Sequence, residues 1–139
     1  MKNLRSALFG LAVLLLATAA QAQTTKVKAT IPFDFVVGDH TYSAGEYTVE
    51  SMSQSSPAIR IDNADGSEKG ITIAQSCRAL YPAEGTKLVF QRLGDNYFLY
   101  QVWTLGNTTG REFTMSKTQV QLANNSKPDL VIVAANFSR

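Results

Sequence analysis

The chain has 139 residues, of which 45% are hydrophobic and 17% are charged, a balance that is typical of a folded globular protein. Its formal net charge of +2 equals the two basic residues of the first 22, Lys2 and Arg5, so the rest of the chain is neutral. Neutrality without a basic block argues against a nucleic-acid-binding surface and against electrostatic attraction to an anionic membrane. A single Cys and a single His exclude a disulfide framework and a Cys/His-rich zinc site, so we predict no metal and no cofactor.

Residues 1–22 have the three parts of a secretory signal peptide. Lys2 and Arg5 provide the positive start, residues 8–17 form an apolar core, and small residues precede a cleavage site at Ala22. An anchoring helix is the alternative, but the last third of the uncharged stretch over residues 6–25 consists of Ala, Thr and Gln and is too polar for a good membrane span. We therefore expect cleavage after Ala22, a single β domain over residues 23–139, no stable membrane span after cleavage, and a secreted or periplasmic location.

The clearest strand signal runs from Val27 to Val37, where apolar and polar residues alternate with a period of two. Pro32 has no N–H for a ladder hydrogen bond, so we expect this strand to bend or to change partner there. After two turns, residues 46–50 form a further strand in which Tyr47 and Val49 face the same side.

Turn residues predict two hairpins. Residues 63–66 (Asn-Ala-Asp-Gly) form the first turn, with Gly66 in a left-handed conformation. Residues 94–96 join the second pair of strands, which covers residues 86–93 and 97–105. The short strands that flank the first turn carry four isoleucines: Ile59, Ile61, Ile71 and Ile73.

The end of the chain combines a helix signal with a strand signal. Ser116 followed by Gln119 fits a capping box, so a short helix is predicted near 115–124, although a strand is the alternative. Three residues are expected to line its apolar side: Val120, Leu122 and Ala123. The apolar run over 130–135 predicts a buried strand.

The chain after the signal peptide therefore consists of seven or eight strands joined by connections of a few residues. Short connections favour antiparallel neighbours, because parallel pairs need long crossovers. We predict an all-β fold that is either an antiparallel β-sandwich or a small, partly open β-barrel.

Two groups of segments resemble a family of small, uncharacterised bacterial secreted β-proteins. The resemblance begins with an Ile-Pro-Phe-x-Phe pattern followed by Ala-Gly-x-Tyr, and it continues in strand and turn residues. The matching segments are Ile31–Gly38, Ala44–Val49, Lys87–Phe90, Gly94-Asp95, Tyr97–Leu99, Val102-Trp103 and Gly110–Glu112. This chain has Tyr42-Ser43 where the family has Leu-Pro, which leaves the shape of the first turn open. The resemblance implies an exported bacterial β-protein, and it transfers no catalytic residue because the family has no assigned activity.

The Gly45-x-Tyr47-x-Val49 sequence is also similar to a common opening of exported β-sandwich modules. In such modules the Gly permits a turn and the Tyr covers the core. This similarity therefore informs the fold and not the function.

The aromatic strand over 97–103 is the best candidate for a binding surface. Strict alternation places Tyr97 and Trp103 on one face, and rings with a polar tip suit contacts with sugars or protein partners. Arg92 and Arg111 are expected to border this surface. The alternative is a central strand that is covered on both faces, in which case these rings belong to the core.

Other reactive side chains give no catalytic constellation. His40 lies in a turn and is expected to be solvated, although a lone His can act as a general base. Cys77 precedes Arg78, so it is a small buried residue, a thiol with a lowered pKa, or a partner in an intermolecular disulfide. Glu46 and Glu50 share a face but lie about 13 Å apart at ~3.3 Å per residue, too far for a retaining glycosidase pair.

We therefore expect an exported, non-catalytic β-domain that binds a carbohydrate, an envelope component or a protein partner. Two alternatives stay open. One is a lipocalin-like carrier with an apolar ligand inside a barrel, and the other is a small hydrolytic enzyme that uses His40 or carboxylates brought together by folding. The sequence does not decide the oligomeric state.

Overall fold

Eleven β-strands and one helix make up the computed structural model, which describes residues 24–138. The predicted signal peptide, residues 1–22, lies outside the described residues. The strands form one open sheet, so the predicted all-β class is confirmed. In chain order the elements are β1 (Lys26–Ile31), β2 (Phe35–Val37), β3 (His40–Tyr42), β4 (Gly45–Ser51), β5 (Ala58–Asn63), β6 (Lys69–Arg78), β7 (Lys87–Leu93), β8 (Asn96–Trp103), β9 (Thr109–Phe113), α1 (Lys117–Asn125), β10 (Asp129–Ala134) and β11 (Asn136–Ser138).

The predicted seven or eight strands are too few, because the chain divides into shorter strands than its period-two pattern indicates. β1 ends at Ile31, and after Pro32 the chain resumes at Phe35 as β2 with different partners, as expected from the missing proline N–H. β1 pairs with β4 and β11, whereas β2 pairs with β3 and, in parallel, with β8. β2, β3 and β11 have three residues each, too few to show a period of two.

The hydrogen-bonded order of the strands is β10-β7-β8-β9-β6-β5-β4-β1-β11, with β2 and β3 attached beside β8. Every pairing along this path is antiparallel, as the short connections favour. The long strand β6 joins the two halves of the sheet, because residues 69–73 pair with β5 and residues 74–78 pair with β9. At the other side, Ala135 separates β10 from β11, so the chain leaves β7 and continues beside β1.

One core cluster draws on both halves of the sheet. The ring of Phe35 lies 5.0 Å from that of Tyr47 in β4 and 5.6 Å from that of Phe90 in β7, edge-to-face in both cases. Burial of side chains of this size contributes about 1.5 to 3 kcal/mol each. The largest fully buried side chains are Tyr47, Phe35, Phe90, Ile31, Ile61, Leu88, Leu93 and Val27.

Two of the apolar segments form strands whose alternate residues face solvent. Ile71 and Ile73 are 63% and 50% exposed, because they pair with outward-facing positions of β5. Leu130 and Ile132 are each 62% exposed in β10, which is an end strand of the sheet. The strand predicted over 130–135 is therefore present, but the expectation that it is buried is wrong.

The predicted helix near 115–124 is confirmed as α1, and its cap is the expected one. The Ser116 Oγ accepts a hydrogen bond from the N–H of Gln119 at 3.1 Å. The expected apolar side is formed only in part: Leu122 and Ala123 are half-buried, but Val120 is 43% exposed. The buried residue of α1 is Gln119. Its Nε2 donates to Oε1 of Gln91 in β7 at 3.1 Å, so an amide pair attaches the helix to the sheet. Within residues 24–138 no helix is long and apolar enough to cross a lipid bilayer.

Both predicted hairpin turns are confirmed. Gly66 has a φ of +75° between β5 and β6, and Gly94 has a φ of +63° between β7 and β8. A residue with a side chain is strained at such positive φ values, so these two positions need glycine. The chain therefore turns where its sequence predicts.

Candidate functional site

The structure places Tyr97 and Trp103 on opposite faces of β8. The ladder between β7 and β8 skips Tyr100, which forms a β-bulge and exchanges the two faces of the strand beyond it. Leu99 and Val102, three residues apart, consequently both belong to the core cluster. The shared face expected for the two rings is not formed.

Tyr97 lies on the core side of β8 and is stacked on Phe33, with ring centroids 3.9 Å apart and the planes 16° from parallel. The guanidinium carbon of Arg92 lies 5.7 Å from the centroid of the same ring, a cation–π contact worth about 0.5 to 1 kcal/mol at an exposed site. The Nε of Arg92 also donates to the carbonyl oxygen of Gly94 at 3.1 Å. Tyr97 and Arg92 are therefore brought together, and they hold the adjacent hairpin in place.

Trp103 is 9% exposed, and its ring is committed to contacts within the fold. Its Nε1 donates to Oε1 of Gln101 at 3.0 Å, and Nε2 of Gln101 donates to Oε2 of Glu112 at 2.8 Å. The ring also covers Gly110, where a Cβ would lie 2.7 Å from a ring carbon. The alternative of a covered central strand therefore describes Trp103 better than an open stacking surface does.

Arg111 lines a cavity of about 250 Å³ between the two halves of the sheet. Val49, Ile59 and Val102, from three different strands, form its apolar part. The other lining residues are small or polar: Thr25, Ser51, Gln54, Ser76, Thr104, Asn107, Thr109, Gly110 and Arg111. We call this cavity, with all of these lining residues, the Arg111 pocket.

Arg111 is the one charged residue among the described residues that line the Arg111 pocket. Its Nη2 donates to the backbone oxygen of Gln54 at 3.5 Å. Within residues 24–138 the ion pairs closer than 4.0 Å join Arg60 to Glu50 and Asp62, and none involves Arg111. A guanidinium has five N–H donors, and within residues 24–138 the Gln54 contact is the one hydrogen bond that the Arg111 side chain makes.

Sequence reasoning identified Arg111 but missed the rest of the pocket. The lining residues come from β4, β5, β6, β8 and β9 and from the loops beside them, so no short motif contains them. Ser and Thr at strand ends are also ordinary turn formers, which hides a binding role.

A second polar cluster surrounds Glu68 at the turn before β6. Its carboxylate accepts hydrogen bonds from the hydroxyl of Tyr47 and from the N–H of Ser43 at 3.0 Å. The Tyr47 hydrogen bond is the main reason that the pKa of Glu68 is lowered, and burial raises the pKa of Tyr47 to about 12. The exposed ring of His40 packs edge-on against Tyr42 at 4.5 Å. These contacts hold the turns around the buried Tyr47, which covers the core as its motif implies.

Cys77 is half-buried in β6, and its environment does not activate the thiol. Burial, followed by the charge of Glu112, raises its pKa. Arg78, the neighbour in the sequence that was expected to lower the pKa of the thiol, does not outweigh these two causes. The interpretation of Cys77 as a small, partly buried residue is therefore better supported than a reactive thiolate.

Within residues 24–138 no group of three or more His, Cys, Asp or Glu side chains is placed to hold a metal ion. No protein-family model, no curated protein and no solved structure matches the chain. The resemblance to small bacterial secreted proteins stays a prediction. The Arg111 pocket is the candidate site that the described residues form.

Proposed function

We propose that this protein is an exported, non-catalytic β-domain that binds a small, hydroxyl-rich ligand of the carbohydrate class in the Arg111 pocket. The observation that carries the proposal is the Arg111 guanidinium, which has no carboxylate within 4.0 Å among residues 24–138 and lies in a cavity lined by hydroxyl and amide side chains. Such a guanidinium donates to hydroxyl oxygens and, more strongly, to acidic groups of a sugar.

The size and the lining of the pocket support a ligand of about one sugar unit. Its volume of about 250 Å³ is slightly below the ~300 to 1,000 Å³ of pockets for drug-sized ligands. Hydroxyl groups can both donate and accept, and the apolar part offers contacts to C–H groups. The five hydroxyl side chains of the lining are Thr25, Ser51, Ser76, Thr104 and Thr109.

Binding is favoured over hydrolysis by the chemistry of the lining. Glycoside hydrolysis requires two carboxyl groups that flank the bond to be broken. None of the described residues that line the Arg111 pocket is Asp, Glu, His or Cys. His40, the candidate general base, lies on β3 against Tyr42 and is not part of the lining.

A carrier of an apolar ligand is less well supported. Such a carrier needs an enclosed apolar cavity at the centre of its barrel. Here aromatic side chains occupy the centre, and Phe35, Tyr47 and Phe90 are at most 1% exposed. The proposed ligand site is correspondingly at the periphery of the core.

The proposal extends to the location, family, architecture and partner class of the protein. Residues 1–22 support export to the periplasm or beyond the cell. The pattern over residues 31–49 supports membership of the family of small bacterial secreted β-proteins that the chain resembles. The open sheet is proposed to be a partly open barrel, because β6 joins its halves on one side and β10 continues into β11 on the other. An envelope polysaccharide is the partner class that fits both the location and the pocket.

The test is a glycan array followed by titration calorimetry of each saccharide that binds. We expect Arg111→Gln to weaken binding at least about tenfold, the loss typical of a hydrogen bond to a charged group. Arg92→Gln is the matched control, since it removes a guanidinium from the Tyr97 stack and leaves the pocket intact. Thermal melting of both variants verifies folding.

Two outcomes contradict the proposal. Failure of every neutral and acidic saccharide to bind or to raise the melting temperature removes the carbohydrate assignment, because a ligand of the folded state stabilises it. If Arg92→Gln loses binding and Arg111→Gln retains it, the ligand binds beside Tyr97 and not in the Arg111 pocket.

A further inference from the structure

The loops before β7 and before β9 run side by side and are tied by backbone hydrogen bonds. The N–H of Ala79 donates to the carbonyl oxygen of Thr108 at 2.8 Å, and that of Ala83 donates to Asn107 at 3.0 Å. The N–H of Gly106 returns a hydrogen bond to the Ala83 oxygen at 2.9 Å. The two loops therefore form one hydrogen-bonded unit.

This unit presents large apolar side chains to solvent. Leu80 is 92% exposed, Tyr81 is 79% exposed and Leu105 is 66% exposed. Phe137 of β11, 46% exposed, lines the same surface depression as Leu105. We call Leu80, Tyr81, Leu105 and Phe137 the apolar tip.

We propose that the apolar tip inserts into the interfacial region of a lipid bilayer, so that the domain works at a membrane surface. Backbone hydrogen bonds join the two loops, and their apolar side chains stay exposed and do not pack onto the core. An aromatic ring with a polar tip and a basic side chain suits the water–lipid boundary. Tyr81 and Lys87 provide these groups around one depression with Trp103, and Glu84 in the same lining balances the charge of Lys87.

The small size of the tip favours a lipid surface over a protein partner. A stable protein interface uses about 20 to 30 residues on each side. The apolar tip has four large apolar side chains on two loops and one strand. A fluid bilayer needs no shape complementarity and accepts a few inserted side chains, whereas a second copy of the chain requires a larger matching surface.

The charge of the chain predicts the mode of this binding. Outside the first 22 residues the basic and acidic residues are equal in number, so attraction to anionic headgroups is weak. Insertion of apolar side chains is then the main contribution, and it is insensitive to salt. This proposal does not depend on the ligand of the Arg111 pocket.

The test is flotation of the processed chain, purified after export, with vesicles of phosphatidylcholine. We expect the protein to float with the vesicles, equally at low and high salt, and the Leu80→Ser/Leu105→Ser double variant to lose about tenfold or more of this partitioning. Ile71→Ser is the control, because Ile71 is 63% exposed in β6, outside the two loops, and its loss should leave flotation unchanged. Circular dichroism verifies folding, and Leu105→Ser alone replaces the double variant if the latter unfolds.

Each other result overturns the proposal. Absence of flotation excludes insertion, and equal loss in Ile71→Ser indicates general stickiness. Flotation that requires anionic lipid and disappears in salt indicates electrostatic binding. A dimer that the double variant dissociates, without any vesicle binding, shows that the tip is an interface between copies of this chain.

Discussion

The hydroxyl of Tyr47 donates a hydrogen bond to the carboxylate of Glu68, which joins a fully buried ring of β4 to the turn before β6. The carbonyl oxygen of Ser43 lies 2.7 Å from the same hydroxyl, and Glu68 also accepts from the Ser43 N–H. Two turns and a strand therefore meet at one hydroxyl group. This network closes one end of the core, whereas the Arg111 pocket lies at a different place between the halves of the sheet.

Tyr47→Phe removes the hydroxyl and keeps the ring. We expect the free energy of unfolding to fall by about 1 kcal/mol, the usual net value of one hydrogen bond, with an unchanged denaturant slope. Urea unfolding measures both the free energy and the slope. Tyr81→Phe, at a residue that is 79% exposed, should change stability by much less. Equal stabilities of Tyr47→Phe and the unaltered protein would show that the network does not stabilise the fold.

The same network predicts how stability depends on pH. The pKa of Glu68 is lowered in the folded state, first by the Tyr47 hydrogen bond and then by the Ser43 N–H. Its contribution is therefore present above the unfolded pKa and is lost as pH falls through the folded pKa. The pKa of Tyr47 is raised from 10.0 to about 12, so its contribution is lost as pH rises through that range. Melting temperatures across acid pH should fall less steeply for Glu68→Gln than for the unaltered protein, and parallel curves would contradict this assignment.

Local signals in the sequence predicted local structure correctly. The Ser116 cap, the turn glycines Gly66 and Gly94, and the break at Pro32 each follow from the conformational limits of one residue. Features that depend on distant neighbours were not predicted. Strict alternation cannot reveal the bulge at Tyr100, because a bulge is a property of two paired strands.

The candidate site illustrates the same limit. Arg111 was identified as a bordering residue, but its companions Ser51 and Ser76 belong to other strands and have no sequence motif. Leu130 and Ile132 were predicted to be buried because an unbroken apolar run does not record that one face of the strand, with Val131 and Val133, packs on the core while the other faces solvent.

Gly110 tests the packing of Trp103 after the bulge. A Cβ at this position would lie 2.7 Å from a Trp103 ring carbon and 2.8 Å from the Val102 carbonyl oxygen. Because backbone cannot easily move away, we expect Gly110→Ala to destabilise the fold by about 1 to 3 kcal/mol. At Gly85 nothing lies within 4 Å of the added carbon, so Gly85→Ala is the control and should be close to neutral. Urea unfolding with equal midpoints for the two variants would show that β9 accommodates the methyl group.

The amide pair between Gln119 and Gln91 tests how α1 is attached. Both side chains are buried, so Gln119→Ala leaves the Gln91 amide without this partner. We expect a loss of about 1 to 3 kcal/mol in the free energy of unfolding, the cost of an unsatisfied buried polar group. Gln121→Ala on the exposed side of the same helix has a similar effect on helix propensity and should be nearly neutral. A comparable loss in both variants would attribute the effect to the helix and not to the pair.

The alkylation rate of the Cys77 thiol reports on its environment in the folded protein. Its pKa is raised by burial and by Glu112, so at neutral pH the folded protein holds less thiolate than an unfolded chain does. Alkylation by iodoacetamide should therefore be slower in buffer than in urea, with mass spectrometry counting the modified fraction over time. Glu112→Gln removes one of the two causes and should accelerate alkylation of the folded protein, provided that its circular dichroism is unchanged. Equal rates in buffer and urea would contradict both the burial of Cys77 and the raised pKa of its thiol.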